Sequence, residues 1–186
     1  AREVLGSEPF IVNTITGLGH AFVSGGLVAR LAGVGYNIAL PRSDITVFQN
    51  RDDRQLFLEQ GWVQESQVQL IVGSGIDIRR FGYCEREARY DAPVVIMIGR
   101  LLRQKGIREF VEVARRVKAR LPKVRFLLVG EEDLDHPDSV TANWVQEVGG
   151  VEFLGRLSDV RPALADADLM LFPSYREGAP RVVMEA

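Results

Sequence analysis

The stretch VVIMIG (residues 94–99) is apolar at every position before its glycine, as expected of a strand covered on both faces. Behind it the period changes. In IREFVEVARRVKARL (107–121), Ile107, Phe110, Val111, Ala114, Val117 and Leu121 recur at helical spacing and form one apolar face. VRFLLVG (124–130) then returns to the first pattern. Alternating strands and helices with continuously apolar strands point to a parallel sheet with helices on both faces.

The same rhythm runs through the rest of the chain. PFIVNTI (9–15), DITVFQN (44–50) and VQLIVG (68–73) read as strands. HAFVSGGLVARLAGV (20–34) reads as a loop and helix, and DDRQLFLEQG (52–61) as a helix capped by Asp52 or Asp53. GSGIDIRRFGYCEREARYD (73–91) is rich in Gly and charge and lacks a sustained apolar period, so it reads as a connector. Beyond it, a helix is expected around SVTANWVQEV, a strand at VEFLG, a helix around VRPALADA and a strand at LMLFP (169–173). The predicted fold class is α/β, with two doubly wound parallel-sheet lobes, both incomplete. Residues 1–75 would form the first lobe, 76–91 the linker and 92–186 the second lobe.

Composition removes several function classes. With 46% hydrophobic residues, the 186-residue chain can bury a sizeable core. Its 23 basic and 25 acidic residues leave a net charge of -2, and their even spread gives no reason to expect a nucleic-acid partner. The single cysteine, Cys84, cannot make an internal disulfide and fits a reducing, cytoplasmic setting. No apolar run approaches the ~20 residues needed to cross a bilayer. The chain begins without Met and stops early in an expected helix, so both ends are read as cut.

Two loops carry the chemistry. In IGRLLRQKG, Gly99 and Arg100 follow a strand, and Lys105 and Gly106 open a helix. Ligands in open α/β sheets bind beyond the carboxyl ends of the strands, where backbone N–H groups face a crevice. Arg100 and Lys105 at that rim suit a diphosphate, although for this motif in isolation a solvated loop with surface cations is the readier reading. In PSYREGAPRVVMEA, Glu177 precedes a Gly178–Ala179–Pro180 turn, Pro180 suits a first helical position, and Glu185 lies farther along the helix. A ligand-binding acid pair and a mere helix-dipole partner with a surface Glu both fit that spacing.

Taken together, GRLLRQKG, VEFLGRLSDV and PSYREGAPRVVMEA resemble, in order and spacing, the C-terminal domain of family 4 retaining glycosyltransferases. GSGIDIRRF resembles that family's interdomain linker. ITGLGHAF and VFQNRDDRQLF resemble the bacterial branch that extends lipid-linked oligosaccharides on undecaprenyl diphosphate. The resemblance implies the GT-B arrangement of two Rossmann-like domains. Arg100 and Lys105 would hold the donor diphosphate and stabilise it as it leaves, without a metal or other cofactor. Glu177 would bind donor-sugar hydroxyls, and Gly178 and Ala179 would offer backbone N–H groups. Glu185 would accept from the ribose, while Gly99, Arg156 and Leu157 would line the donor site, with the last two against the base. The implied partners are a nucleotide-sugar donor and a glycan or polyprenyl-diphosphate-linked acceptor. The implied location is cytoplasmic, at the inner face of the cytoplasmic membrane, with peripheral membrane association.

This sequence also departs from the family. It lacks the glycine-rich loop usual near the family's N-terminus. Where a catalytic His is usual it has Thr16–Gly17, with His20 four residues on. Thr16 and His20 are the acceptor-side candidates, and a histidine without catalytic duty is the alternative. His136 among Asp133, Asp135 and Asp138 could form a metal site or a polar connector, and the resemblance favours the connector. Trp62 and Trp144 are expected in helical contexts as packing residues. A nucleotide-sugar-binding module without turnover and a UDP-sugar epimerase remain rival readings. Alone, the chain is expected to be a poor catalyst, to expose apolar surface, and to dimerise or aggregate.

Overall fold

The computed structural model describes residues 9–18, 26–83, 85 and 91–186. The chain divides into two compact units: Ala1–Gly75 with Glu177–Arg181, and Ile76–Arg176 with Val182–Ala186.

In the first unit, β1 (Val12–Ile15), β2 (Ile45–Phe48) and β3 (Val68–Leu70) form a parallel sheet in that order. The connections carry α1 (Leu27–Ala39) and α2 (Arg51–Glu59). Ile15, Leu18, Leu40, Phe48, Phe57 and Val63 make the core, with Tyr36 and Trp62 packed against it. Phe57 is central: its ring centroid lies 4.8 Å from Tyr36, 4.9 Å from Trp62 and 5.0 Å from Phe48. Trp62 is not helical as expected; it follows the end of α2, where the turn folds its indole back towards α1.

The cap of α2 also differs from expectation. Asn50 Oδ1 accepts from the Asp53 N–H at 2.7 Å, and Asn50 Nδ2 donates to Asp53 Oδ2 at 2.9 Å. Asp52 and Asp53 lie inside the first turn, where their charge complements the helix dipole, while the extended residue before them caps. The outer face of α1 is apolar and open, with Leu27, Leu31, Val34 and Ile38 all exposed.

In the second unit, β4 (Val94–Ile98), β5 (Arg125–Val129), β6 (Glu152–Gly155) and β7 (Leu169–Met170) form a parallel sheet in the order β6-β5-β4-β7. Val95, Met97, Phe126 and Leu128 pack on one face with Ile107, Phe110, Val111 and Ala114 of α3 (Ile107–Arg120) and Val145 of α4 (Ala142–Val148). Val94, Ile96, Leu127 and Val129 pack on the other with Ala163 and Leu164 of α5 (Arg161–Asp166). Both sides of β4 are therefore covered, which is why its sequence has no polar alternation.

Three expected boundaries move. Leu121 lies beyond the last helical residue of α3 and is 59% exposed, so it leaves the predicted buried face. β7 is shorter than residues 169–173; its bonding to β4 continues only through the Leu171 N–H, which donates to the Ile96 carbonyl at 2.9 Å. Pro180 precedes α6 (Arg181–Glu185) instead of occupying its first position, since a residue lacking an N–H is tolerated at either place. Among the described residues, no helix is long and apolar enough to cross a membrane.

Candidate functional site

Strands β4, β5 and β6 step to one side of the second sheet, and β7 then returns to the other side of β4. The strand order reverses there. In an open α/β sheet this opens a ligand crevice outside the carboxyl ends of the strands. The loops that leave β4 and β7 are the two motif loops of the sequence.

The loop after β4 is held firmly. Leu101 and Leu102 are fully buried, which anchors the segment between Arg100 and Lys105. The Leu101 N–H donates to the Glu131 carbonyl at 2.9 Å, and the Val140 N–H donates to the Leu101 carbonyl at 2.7 Å. The Arg103 N–H donates to the Asp138 carbonyl at 2.8 Å, and the Gln104 N–H to Asp138 Oδ2 at 2.9 Å. Lys105 closes a short 3-10 turn, and Gly106 follows at φ 80 to open α3. That glycine is required twice: for its left-handed backbone, and because a Cβ would lie 2.2 Å from the Pro173 carbonyl oxygen.

The loop after β7 lies directly against it. The Tyr175 N–H donates to the Gln104 carbonyl at 2.9 Å, and Ser174 Oγ donates to the same oxygen at 3.3 Å. The Tyr175 hydroxyl donates to Glu109 Oε1 in the first turn of α3 at 2.5 Å. The Glu109 carboxylate raises the Tyr175 hydroxyl above the ordinary tyrosine range, through this hydrogen bond first and desolvation second. At the ends of β4 and β5, the Gly99 N–H donates to the Val129 carbonyl at 2.9 Å. A Cβ on Gly130 would lie 1.9 Å from the Gly99 carbonyl oxygen, so the two backbones touch there.

Two ion pairs join the rim. Arg100 Nη1 lies 2.7 Å from Asp133 Oδ2, and Arg156 Nη1 lies 2.9 Å from Glu131 Oε2. Leu157 packs on the cluster of Val94, Ile96, Leu127 and Val129. Gly99, Arg100, Lys105, Arg156, Leu157 and Glu185 all belong to the second unit. Glu185 there lines a cavity with Arg80, Tyr83, Arg161 and Leu164.

Glu177, Gly178 and Ala179 are grouped with the first unit, as is Thr16. A Cβ on Gly178 would lie 1.7 Å from the Thr16 carbonyl oxygen, so this unit brings Thr16 and Gly178 into backbone contact. His20 lies outside the described residues, as does Cys84. His136 Nδ1 accepts the Asp138 N–H at 3.1 Å. Among the described residues, no group of three or more His, Cys, Asp or Glu side chains is arranged to hold a metal. Sequence reading did not single out Gln104, Glu109, Glu131 or Tyr175 and knew Asp133 only as a metal alternative. Each acts through a partner far along the chain that no local pattern marks.

The second sheet, its crevice and both motif loops lie within residues 92–186, which match the family described as Glycosyl transferases group 1. The chain belongs to this family. It is 29% identical to the N,N'-diacetylbacillosaminyl-diphospho-undecaprenol alpha-1,3-N-acetylgalactosaminyltransferase of Campylobacter jejuni over 96% of the chain and 50% of that protein. It is 34% identical to the lipopolysaccharide core biosynthesis glycosyltransferase LpsE of Rhizobium meliloti over 52% of the chain and 27% of the relative. The chain thus spans half or less of the length of both relatives. A mutant of S. aureus TarM, solved with Fondaparinux, alpha-GlcNAc-glycerol and UDP, superposes with a TM-score of 0.69. The match covers 94% of this chain and 34% of TarM at 17% identity. The group 1 glycosyl transferase chain therefore has the α/β, parallel-sheet fold of GT-B glycosyltransferases.

Proposed function

We propose that the chain carries the donor-binding crevice of a family 4 retaining glycosyltransferase. Such an enzyme moves a sugar from a nucleotide-sugar, taken here as a UDP-sugar, to a glycan or lipid-linked acceptor. The carrying observation is the reversal of strand order between β4 and β7, with Arg100, Lys105 and the N-terminus of α3 in the segment that follows the carboxyl end of β4, where open α/β sheets bind their ligands. Backbone N–H groups at a helix start and a guanidinium fork both favour a phosphate group. The names of the relatives support the acceptor class: the Campylobacter protein is named for a diphospho-undecaprenol substrate and LpsE for lipopolysaccharide core synthesis. Such an acceptor would bring the protein to the inner face of the cytoplasmic membrane as a peripheral partner.

In this reading the anomeric carbon–oxygen bond to the diphosphate breaks and a bond to the acceptor oxygen forms on the same face. The acceptor hydroxyl passes its proton to a departing phosphate oxygen. Arg100 and Lys105 stabilise the charge that grows on the diphosphate, a duty that calls for no metal. Gly99 admits the diphosphate beside the strand end, while Arg156 and Leu157 lie against the base. The family resemblance alone assigns Glu177 to the donor sugar, Gly178 and Ala179 to N–H donation, and Glu185 to the ribose.

Titration calorimetry with UDP and UDP-N-acetylgalactosamine, on the wild type and Arg100→Ala, tests the donor site. The wild type binds both, and Arg100→Ala weakens UDP by about ten-fold, as loss of a charge-assisted contact requires. Equal affinities would remove the phosphate assignment. Sugar transfer to an undecaprenyl-diphosphate-linked acceptor, assayed on the protein that carries this chain, tests turnover.

A further inference from the structure

Both arginines at the rim are held by carboxylates of one segment. Asp133 takes Arg100 from the loop after β4, and Glu131 takes Arg156 from the loop after β6. The segment's backbone is fixed on both sides of Asp133. The Glu131 carbonyl accepts from Leu101, and the Asp133 carbonyl accepts the His136 N–H at 3.0 Å. Between them, Glu132 Oε1 accepts the Ala142 N–H at the start of α4, at 2.6 Å. Asp133 is thus presented to Arg100 from an anchored loop. The pair stays half open, with the Arg100 side chain 52% exposed and that of Asp133 30% exposed.

A guanidinium binds a phosphate through the same planar fork that it offers a carboxylate. While Asp133 holds Nη1, part of that fork is occupied, and its negative charge opposes an arriving diphosphate. A half-exposed pair is weak enough to open for a ligand of higher charge. We propose that Asp133 is an internal counter-anion for Arg100: it occupies the guanidinium in the empty site, yields it to the donor diphosphate, and reclaims it as the nucleotide leaves. The consequence is a donor site tuned for release, in which the acidic segment lowers nucleotide affinity. This inference rests on the donor-site reading of Arg100.

The sign of one substitution decides it. An acid that merely orients Arg100 would help UDP bind, whereas a competing counter-anion hinders it. Calorimetry with UDP, and with uridine as the phosphate-free control, would compare wild type, Asp133→Asn, Asp133→Ser, Arg100→Ala and Arg100→Ala with Asp133→Asn. Both Asp133 variants are expected to bind UDP about three- to five-fold more tightly, the scale of a half-exposed ion pair, with uridine unchanged. In the Arg100→Ala background the gain disappears. Unchanged or weaker UDP binding in the Asp133 variants, or a gain that persists without Arg100, overturns the counter-anion. UDP binding that is absent from every form, or indifferent to Arg100→Ala, overturns the donor-site reading and the counter-anion with it.

Discussion

The Tyr175 hydroxyl donates to Glu109 Oε1 at 2.5 Å and so ties the loop after β7 to the first turn of α3. The other carboxylate oxygen, Oε2, is buried and has no hydrogen-bond partner among the described residues, so Tyr175 supplies the bond seen at this carboxylate. The hydrogen bond to Glu109 first, then desolvation and the Glu109 charge, raise the Tyr175 hydroxyl above the ordinary range. A raised folded-state value contributes stability that is fully present below the unfolded value, about 10 for tyrosine, and is lost as pH rises through the folded value. Ultraviolet difference titration of wild type against Tyr175→Phe should show one tyrosine ionising late, and Glu109→Gln should return it towards the ordinary range. An ordinary titration of Tyr175 in the wild type would contradict the bond.

Gly106 and Gly149 both have positive φ, at 80 and 73, but Gly106 is left-handed helical with ψ 25 and Gly149 has ψ -179, and of the two only Gly106 is crowded. A Cβ on Gly106 would lie 2.2 Å from the Pro173 carbonyl oxygen, while one on Gly149 meets nothing within 4 Å. Gly149→Ala therefore carries backbone strain alone, about 1–3 kcal/mol in a region that essentially only glycine occupies. Gly106→Ala carries left-handed strain plus displacement of the loop after β7, and should cost at least about 2 kcal/mol in urea unfolding. A Gly106→Ala cost of only about 1 kcal/mol, the left-handed strain by itself, would show that the loop after β7 gives way freely.

The second sheet was legible because burial on both faces leaves a mark in every residue of β4, and the α3 face repeats at helical spacing. The motif glycines and cations were legible because loop chemistry is local. The bonds that assemble the site were not. Tyr175 and Glu109 are 66 residues apart, and Arg100 and Asp133 are 33 apart, so neither pair has a period to reveal it. The α2 cap was misread for a related reason: Asn50, Asp52 and Asp53 are all suitable residue types, and only the backbone angle at Asn50 distinguishes the cap. Leu121 follows the apolar period of α3 and still points to solvent, because the helix ends one residue earlier.

Arg125 and Glu152 face each other across β5 and β6 with two hydrogen bonds, at 2.9 and 2.5 Å. The hydrogen bond from Arg125 is the first cause that lowers the Glu152 carboxyl below its usual value. A depressed value contributes stability present above the unfolded value, about 4.3 for Glu, and lost as pH falls through the folded value. Both side chains are over 40% exposed, at 45% and 41%, so screening limits the pair. Glu152→Gln should lower stability at pH 7 by about 0.5 kcal/mol. Thermal unfolding should show that deficit shrinking as pH falls below about 4.3 and vanishing below the folded value. A deficit independent of pH would assign the effect to packing rather than charge.

Gly33 is the buried residue of α1, and a Cβ there would lie 2.7 Å from Trp62 Cζ2. The helix alone would favour alanine by about 0.8–1.0 kcal/mol. To make room, however, the Trp62 indole must shift against the rings of Tyr36 and Phe57, with centroids at 5.6 and 4.9 Å, and give up part of that packing. Overpacking of this kind costs about 1–3 kcal/mol and should outweigh the gain in propensity. Gly33→Ala is therefore expected to reduce stability in urea unfolding and to shift Trp62 emission to longer wavelength, with Trp144→Phe as the background that isolates the signal. A stabilised variant with unchanged emission would mean that Trp62 does not fill the space over Gly33.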